Sequence, residues 1–194
     1  MTFVKSLILL PSGIEGKLTI NQIMKFAASL FIGLFIFTFN CTQMSAQSSR
    51  KTILLVRHAE KDVSESADKA DPELSAEGRE RARRLVEVIG KYRPGAFYST
   101  DFKRTRDSVT PLASRRKKQV RIYDARNPQK LLDEIMQSRT KRFVIAGHSN
   151  TIPDLANLIL KKQLFKNLQD SEYTVIWLVR IKDGKAEKVE ILDY

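Results

Sequence analysis

The stretch Ile53–Lys61, ILLVRHAEK, decides the fold that this sequence predicts. It opens with four apolar residues, and a short apolar run bounded by polar residues is typical of a strand buried on both faces, as in a parallel sheet. Arg57 and His58 follow at once. Because ligand sites of open α/β sheets lie just past the carboxyl ends of the strands, we expect this pair at the mouth of a crevice. A fixed cation beside an imidazole suits the capture and attack of a phosphoryl group.

A second stretch repeats this design. Phe143–Ser149, FVIAGHS, is again an apolar run that ends in a histidine, His148. The chain holds two histidines in all, and each closes such a strand. Histidines kept for packing or solubility would have no reason to share that placement, so the sequence predicts that His58 and His148 act together.

Composition limits the class of protein without choosing a partner. The 194 residues, 42% hydrophobic and 29% charged, suit one globular domain of ordinary size. The formal charge of +12 favours anionic substrates, nucleic acid or anionic membrane surfaces. Cys41 is the only cysteine, which excludes an intramolecular disulfide and a cysteine-based metal cluster.

The pattern of residues 1–46 is typical of a targeting segment. Phe26–Phe39 contains fourteen uncharged, mostly apolar residues, too few to span a bilayer comfortably but typical of a signal-peptide core. We therefore interpret residues 1–46 as an extension and signal peptide that starts functionally at Met24. Lipid attachment at Cys41 and retention as an uncleaved membrane anchor are the alternatives. The prediction is an exported protein, periplasmic or extracellular, with membrane attachment through this segment left open.

After a polar linker, 47–51, strands and helices alternate through the domain 52–194. Ser75 is a good N-cap for a helix that Gly90 ends, and Asp183-Gly184 is a strong hairpin turn. We predict an α/β fold of three layers: a mainly parallel sheet with helices on both faces, finished by a C-terminal antiparallel hairpin. The other predicted strands are Ala96–Ser99, Val120–Tyr123, Phe143–Ala146, Tyr173–Ile181 and Ala186–Leu192. The other predicted helices are Thr100–Ser114, one that begins at Pro128, and Thr151–Leu160.

The residues at the strand ends suit phosphoryl transfer, which needs positioning and positive charge on the equatorial oxygens. His58 would attack, forming a phosphohistidine intermediate. Arg57 and Arg104 would clamp the phosphate, since a guanidinium offers a planar fork of donors. His148 would donate a hydrogen bond to the transferring group.

These residues also carry a resemblance. Val56-Arg57-His58-Ala59 resembles the RHG/RHA motif of the histidine phosphatase superfamily, also called phosphoglycerate mutase-like. The segment Ser99–Thr105 resembles the one that holds the family's second phosphate-binding arginine, here Arg104, and Gly147-His148-Ser149 resembles its second-histidine motif. The match covers about 52–160 and looks like the small bacterial members. It implies a phosphoglycerate mutase-like fold and an acid-type phosphatase without metal or cofactor, acting on a phosphoric monoester or a phosphohistidine.

The proton donor departs from the family pattern. The acid-phosphatase branch places an Asp after the second histidine, where this chain has Ser149. Another branch places a Glu between the second arginine and the second histidine; Asp124 is the candidate there, with Glu134 behind it. Glu60 is a third candidate. A substrate with a good leaving group would need little help from any of them.

Other polar residues could border the substrate. We predict substrate contacts for Ser149 and Asn150, although capping of the following helix is the safer interpretation of Asn150 and Asp154. Lys61 and Arg126 are more simply solvated surface than parts of the pocket rim.

Four other functions compete with hydrolysis. A pseudo-enzyme could grip phosphorylated ligands without turnover, and a mutase could return the phosphoryl group to substrate. A histidine metal site is disfavoured because two arginines beside two histidines would repel a cation. Nucleic-acid binding is not expected, since the basic residues are dispersed and only Arg115–Lys118 is dense. The predicted partner is a phosphorylated small molecule or phosphoprotein; the oligomeric state is left open.

Overall fold

The computed structural model describes residues 49–194. The predicted extension and signal peptide, with Met24 and Cys41, lie outside these residues. Among the helices of the described part, none is long and apolar enough to cross a membrane. Residues 48–194 form a compact unit by themselves, and every strand and helix given below lies within it.

Six strands and four helices alternate along the described part of the chain. The strands are β1 (Arg50–Arg57), β2 (Ala96–Ser99), β3 (Val120–Ile122), β4 (Arg142–Gly147), β5 (Val175–Lys182) and β6 (Lys185–Asp193). The helices are α1 (Ala76–Gly90), α2 (Lys103–Arg115), α3 (Pro128–Gln137) and α4 (Thr151–Leu160).

The strands form one sheet in the order β3-β2-β4-β1-β5-β6. The first four strands of that order are parallel to one another, whereas β5 and β6 pair antiparallel with their neighbours. Between them, the turn Asp183-Gly184 has positive φ at both residues, 49° and 76°, as a two-residue hairpin turn requires. The predicted mainly parallel sheet with a C-terminal antiparallel hairpin is confirmed.

Strand β1 supplies side chains to both faces of the sheet. Ile53 and Leu55 pack with residues of α3 and α4, whereas Leu54 and Val56 pack with residues of α1 and α2. All four side chains are fully buried. Because neighbouring strand residues point to opposite faces, a continuous apolar run is what a central strand with helices on both sides needs. The three-layer architecture is therefore present as predicted.

Several element boundaries differ from their predicted positions. Strand β1 begins at Arg50, so the last two residues of the predicted linker 47–51 are part of the sheet; they pair with β5, and Lys51 is buried. Helix α2 begins at Lys103 rather than Thr100. Helix α1 ends at Gly90 as predicted, but the left-handed residue that turns the chain is Arg93, with φ 52°. The early start of β1 depends on its pairing with β5, a strand distant in sequence.

Candidate functional site

The parallel pairing of β1 with β4 brings the two histidines together. Arg57 lies opposite Gly147 in the register, and the backbone N–H of His58 donates to the Gly147 carbonyl at 2.9 Å. The next residue on each strand is thus a histidine, and the two ring centroids of His58 and His148 are 5.3 Å apart. The carboxyl edge of the sheet therefore carries the predicted pair.

The ring of His58 is held in one tautomer. Its Nδ1 lies 2.8 Å from the carbonyl oxygen of Ala59. A carbonyl can only accept a hydrogen bond, so Nδ1 carries the proton. Nε2 of the neutral ring then keeps its lone pair. That nitrogen is the one a nucleophilic histidine has to present.

Both histidines are kept neutral. The pKa of His58 is lowered to about 3, chiefly by burial and also by the nearby charge of Arg104, whereas the bond to Ala59 opposes the shift. Burial, with Arg104 and Arg57, lowers the pKa of His148 to about 4. At neutral pH the free site is thus positive at its arginines and unprotonated at its nucleophile, as attack on an anion requires.

The guanidinium of Arg57 is anchored from the C-terminal side of the site. Its Nη1 donates to three backbone carbonyls of the segment 169–172, of which the shortest bond, 2.7 Å, goes to Gln169. The guanidinium carbon lies 4.1 Å from the centre of the Tyr173 ring. The side chain is almost fully buried, yet its Nε has no hydrogen-bond partner among the described residues.

Arg104 is arranged in a similar way from the other side. Its guanidinium stacks 4.4 Å from the centre of the Phe102 ring, and its Nη1 lies 3.9 Å from the Asp71 carboxylate. Burial lowers the pKa of Arg104, which Asp71 partly opposes. The buried Nε again lacks a partner within the described part of the chain. Arg57 and Arg104 thus each hold a desolvated donor for which an anion would be the natural acceptor.

Ser108 connects the nucleophile to the helix that carries Arg104. Its buried hydroxyl accepts the N–H of Ala59 at 2.8 Å and donates to the Arg104 carbonyl at 2.7 Å. The residue after His58 and the first turn of α2 are therefore tied through one side chain.

His148 is oriented by the start of α4 and by the end of β2. Its backbone N–H donates to Thr151 Oγ1 at 2.9 Å, and its Nε2 shares a hydrogen bond of 2.9 Å with Thr100 Oγ1. The ring also stands edge-on to Phe102, with centroids 5.1 Å apart. The orientation of the ring is thus set by neighbours that lie outside its own motif.

A cavity of about 470 Å³ adjoins His148, and Asp124 is on its wall. Phe102 and Tyr123 also line it. Asp124 Oδ1 accepts from the backbone N–H and the Nε of Arg126, and these bonds lower the pKa of the exposed Asp124 carboxyl. The predicted donor therefore borders the site, but it is ionised and paired when no substrate is bound.

The other two candidate acids have other partners. Glu60 forms an ion pair with the buried Arg81, with Nε–Oε1 at 2.8 Å, and this partner lowers the pKa of Glu60 even though burial raises it. Glu134 accepts from the hydroxyl of Tyr98 at 2.6 Å and from Arg121 at 3.1 Å. Of the three predicted candidates, Asp124 alone lines the cavity beside His148.

The remaining predicted contact residues lie just beyond His148. Ser149 is half-buried, and its carbonyl accepts from the N–H of Leu168. Asn150 is exposed and occupies the N-cap position of α4 without a side-chain capping bond, so the capping interpretation of its side chain is wrong; Thr151 has turned its hydroxyl to His148 instead. Lys61 is exposed, as expected of solvated surface. Arg126 is exposed as well, but it lines the cavity beside His148 and therefore belongs to the pocket rim.

Sequence reasoning missed four contributors to the site. They are Thr100, Ser108, Tyr173 and the carbonyls of 169–172. Thr100 lies in the Ser99–Thr105 segment and Ser108 lies near Arg104, whereas Tyr173 and the carbonyls of 169–172 reach the site from a segment distant in sequence. Only Ser108, near Arg104 and on the same face of a predicted helix, offered a signal in the spacing.

This fold and this edge of the sheet define a class: α/β proteins whose strand ends carry two neutral histidines beside two arginines, in a site shielded from most of the solvent. A family model described as the histidine phosphatase superfamily (branch 1) matches residues 53–126. That range includes Arg57, His58 and Arg104. Over these residues the chain is similar to the histidine phosphatase superfamily, and its six-stranded α/β architecture is the phosphoglycerate mutase-like fold.

Solved structures resemble the chain at low sequence identity. A mycobacterial glucosyl-3-phosphoglycerate phosphatase has 15% identity and a TM-score of 0.59, with 75% of this chain and 98% of that one covered. A candidate phosphohistidine phosphatase, SixA, from Agrobacterium tumefaciens has 17% identity and a TM-score of 0.57, covering 74% and 99%. At this identity the likeness establishes the fold. No curated protein sequence matches the chain.

Proposed function

We propose that the protein is a metal-independent phosphatase that works through a phosphohistidine on His58. One observation carries this proposal: the neutral, oriented imidazole of His58 lies near Arg57 and Arg104, whose buried Nε atoms lack partners in the described residues. Such donors are costly to bury unsatisfied, and a phosphate would satisfy them.

Binding would use the groups that the free site leaves unused. The Nε atoms of Arg57 and Arg104 would donate to equatorial oxygens of the phosphoryl group. His148, 5.3 Å from His58 between ring centroids, would donate a further hydrogen bond. Anion binding would reduce the electrostatic cost of protonating a histidine, so it would also raise the pKa of His148 and make it a better donor.

Transfer would proceed in two displacements. Nε2 of His58 attacks phosphorus, the N–P bond forms, and the P–O bond to the leaving group breaks with its electron pair going to that oxygen. Water then attacks the phosphohistidine, the N–P bond breaks, and inorganic phosphate and neutral His58 are regenerated. Positive charge from the two arginines stabilises the equatorial oxygens in both steps.

The leaving oxygen requires a proton unless it is a weak base. Asp124 is the proposed donor because it lines the same cavity as His148. Its bonds to Arg126 lower its pKa, so the protonated form increases as the pH falls. We therefore expect alkyl phosphates to be hydrolysed best at acid pH, whereas phosphohistidine and acyl phosphates would not need Asp124.

The substrate class follows from the site and from its relatives. The compared structures include a glucosyl-3-phosphoglycerate phosphatase and a candidate phosphohistidine phosphatase. A phosphorylated small molecule or a phosphohistidine protein is accordingly the proposed substrate. We retain export from the cytoplasm as a proposal on the strength of the apolar run Phe26–Phe39.

The test is turnover of p-nitrophenyl phosphate by the unit 48–194, with and without EDTA. We expect activity that resists EDTA and that falls by at least about 10⁴-fold in His58→Ala, as for other removed nucleophiles. Binding of inorganic phosphate to His58→Ala, followed by calorimetry, should persist because both arginines remain. Phosphate binding by the wild type without turnover of any phosphorylated ligand would instead identify a binding protein, and transfer of phosphate to a second substrate molecule would identify a mutase.

Asp124→Asn tests the proton donor. A phosphate ester with a poor leaving group should be hydrolysed about 10²-fold more slowly by this variant, whereas p-nitrophenyl phosphate should be affected much less. Asp133→Asn is the matched control, since Asp133 is exposed on α3 and away from the cavity lining. Equal rates for Asp124→Asn and wild type on the poor leaving group would remove Asp124 from the mechanism.

A further inference from the structure

The positive charge of the described chain is concentrated at one end of the sheet. Five segments meet at the amino ends of the parallel strands: 50–51, 91–95, 115–119, 138–142 and 182–185. We call them together the basic end. It contains thirteen lysines and arginines and one acidic residue, Asp183. The basic residues are Arg50, Lys51, Lys91, Arg93, Arg115, Arg116, Lys117, Lys118, Arg139, Lys141, Arg142, Lys182 and Lys185.

Direct hydrogen bonds connect these segments into one surface. Arg142 Nε donates to the Arg93 carbonyl and Arg116 Nε to the Pro94 carbonyl, each at 3.2 Å. Lys51 Nζ donates to two carbonyls of 138–142. Three different crossovers of the fold therefore present their cations side by side.

These cations are mostly exposed and far outnumber the carboxylates beside them. Ten of the thirteen side chains are exposed. Lys182 forms an ion pair with Glu187 at 3.7 Å, and Asp183 is the single carboxylate that the five segments themselves contain. Some cations here follow helix carboxyl ends, where the helix dipole favours them. That effect applies to Lys91, Arg115 and Arg116 but not to the other basic residues of these segments.

Elsewhere in the described chain, basic and acidic residues are nearly balanced. Outside the basic end, residues 49–194 contain eighteen lysines and arginines and twenty acidic residues. The positive excess is thus confined to the basic end, whereas the phosphate site lies at the carboxyl edge of the sheet. A partner bound at the basic end would leave the site open.

A cavity of about 410 Å³ between the ends of α1 and α2 could take a phosphate-sized group. Lys91, Arg93, Arg115 and Arg116 line it together with one carboxylate, Glu87. Four cations against one carboxylate favour an anionic group at this place.

We propose that the basic end binds the anionic headgroups of a lipid membrane. The described chain begins at this end, and the apolar run Phe26–Phe39 stops eleven residues before Arg50, a span of at most about 40 Å. A membrane that holds the apolar run would therefore be within reach of the basic end. Single-stranded nucleic acid fits less well, because its binders stack bases on aromatic rings and the five segments contain one aromatic residue, the half-buried Tyr92.

The experiment is co-sedimentation of the unit 48–194 with phosphatidylcholine vesicles, with and without phosphatidylglycerol. The unit 48–194 contains the apolar cores on both faces of the sheet and lacks the apolar run Phe26–Phe39. We expect binding to the anionic vesicles, no binding to pure phosphatidylcholine, and release at high salt. Absence of binding at low salt would overturn the proposal. So would tighter binding of single-stranded RNA than of the anionic vesicles at the same salt concentration.

A charge variant locates the interaction. Replacing Lys117, Lys118, Arg139 and Lys141 by Gln should reduce the vesicle partition coefficient about tenfold or more, since each basic residue near an anionic surface adds to the attraction. All four side chains are exposed, and none belongs to the apolar core on either face of the sheet. The fold should therefore tolerate the four substitutions.

The matched control removes the same net charge elsewhere. Lys69, Lys130, Lys166 and Lys188 are exposed and outside the basic end, and their replacement by Gln should change the partition coefficient much less. Equal losses in the two variants would show that net charge alone matters, which contradicts a local surface. Turnover of p-nitrophenyl phosphate should be unchanged in both variants, which verifies that they fold.

Discussion

His58 and His148 show how a residue type acquires its function from its surroundings. A free imidazole is half-protonated near pH 6.5, but burial and the neighbouring arginines lower the pKa of His58 to about 3 and that of His148 to about 4. The site is therefore cationic through its arginines and keeps its nucleophile unprotonated, a division of roles that two histidines in water would not have.

A titration of the two histidines tests whether burial and the neighbouring arginines lower their pKa values. With two histidines in the chain, ¹³C-histidine NMR of the unit 48–194 should show two imidazole signals that stay neutral well below pH 6.5. Inorganic phosphate should move both midpoints upward, because a bound anion favours the protonated rings. The same protein in urea, titrating near 6.5, is the control. Midpoints near 6.5 in the folded, phosphate-free protein would contradict the burial argument.

The same shifts make stability depend on pH. Since both pKa values are lowered on folding, the unfolded chain binds more protons between about pH 3 and 6.5, and the free energy of unfolding should decrease as the pH falls below 6.5. Urea unfolding at pH 7 and pH 5 should show a larger loss for the wild type than for His58→Ala/His148→Ala. Equal losses would mean that other groups set the acid sensitivity.

At the scale of elements, Ser108 joins the end of β1 to the start of α2. Ser108→Ala leaves the buried N–H of Ala59 without its acceptor, at a cost of about 1–3 kcal/mol in the free energy of unfolding. We also expect a lower kcat, since His58 and Arg104 lose their common support. Thr110→Ala is the matched control: Thr110 makes the same bond to the carbonyl four residues earlier on α2, but is exposed. Similar effects of the two substitutions would argue against a positioning role for Ser108.

The segment 169–172 supports Arg57, as Ser108 supports His58 and Arg104. Glu172 closes this segment on itself by accepting the N–H of Gln169, and three carbonyls of the segment hold Arg57. Glu172→Ala should loosen the segment and raise KM several-fold with a smaller change in kcat. The control is Glu65→Ala, an exposed residue of the loop after β1. An unchanged KM in Glu172→Ala would show that the carbonyls hold Arg57 without this closure.

At the scale of the whole molecule, the apolar cores on the two faces of the sheet both contain residues of the central strands. We call these two cores the core clusters. Ile53 and Leu54, adjacent on β1, belong to different clusters. Unfolding of one face would expose the other, so the unit 48–194 should unfold in urea as a single transition, with fluorescence of Trp177 and circular dichroism coinciding. Two separated transitions would mean that the faces are independent.

The sequence alone predicts those features of the fold and the site that short stretches of residues encode. The layers, the strand-end placement of Arg57, His58 and His148, and the hairpin at Asp183-Gly184 are encoded locally, as an apolar run followed by polar residues or as a turn dipeptide. Local patterns of this kind are readable because burial on both faces demands an unbroken apolar strand.

Only the tertiary structure decided what surrounds these residues. The carbonyls that hold Arg57 and the ring of Tyr173 beside it come from a segment more than a hundred residues away in sequence, which only the folded chain brings to the site. The basic end is another example: its cations are dispersed along the chain and form a surface because parallel strands begin at the same edge. Contacts between distant segments depend on the whole packed chain, and no local pattern of residues specifies them.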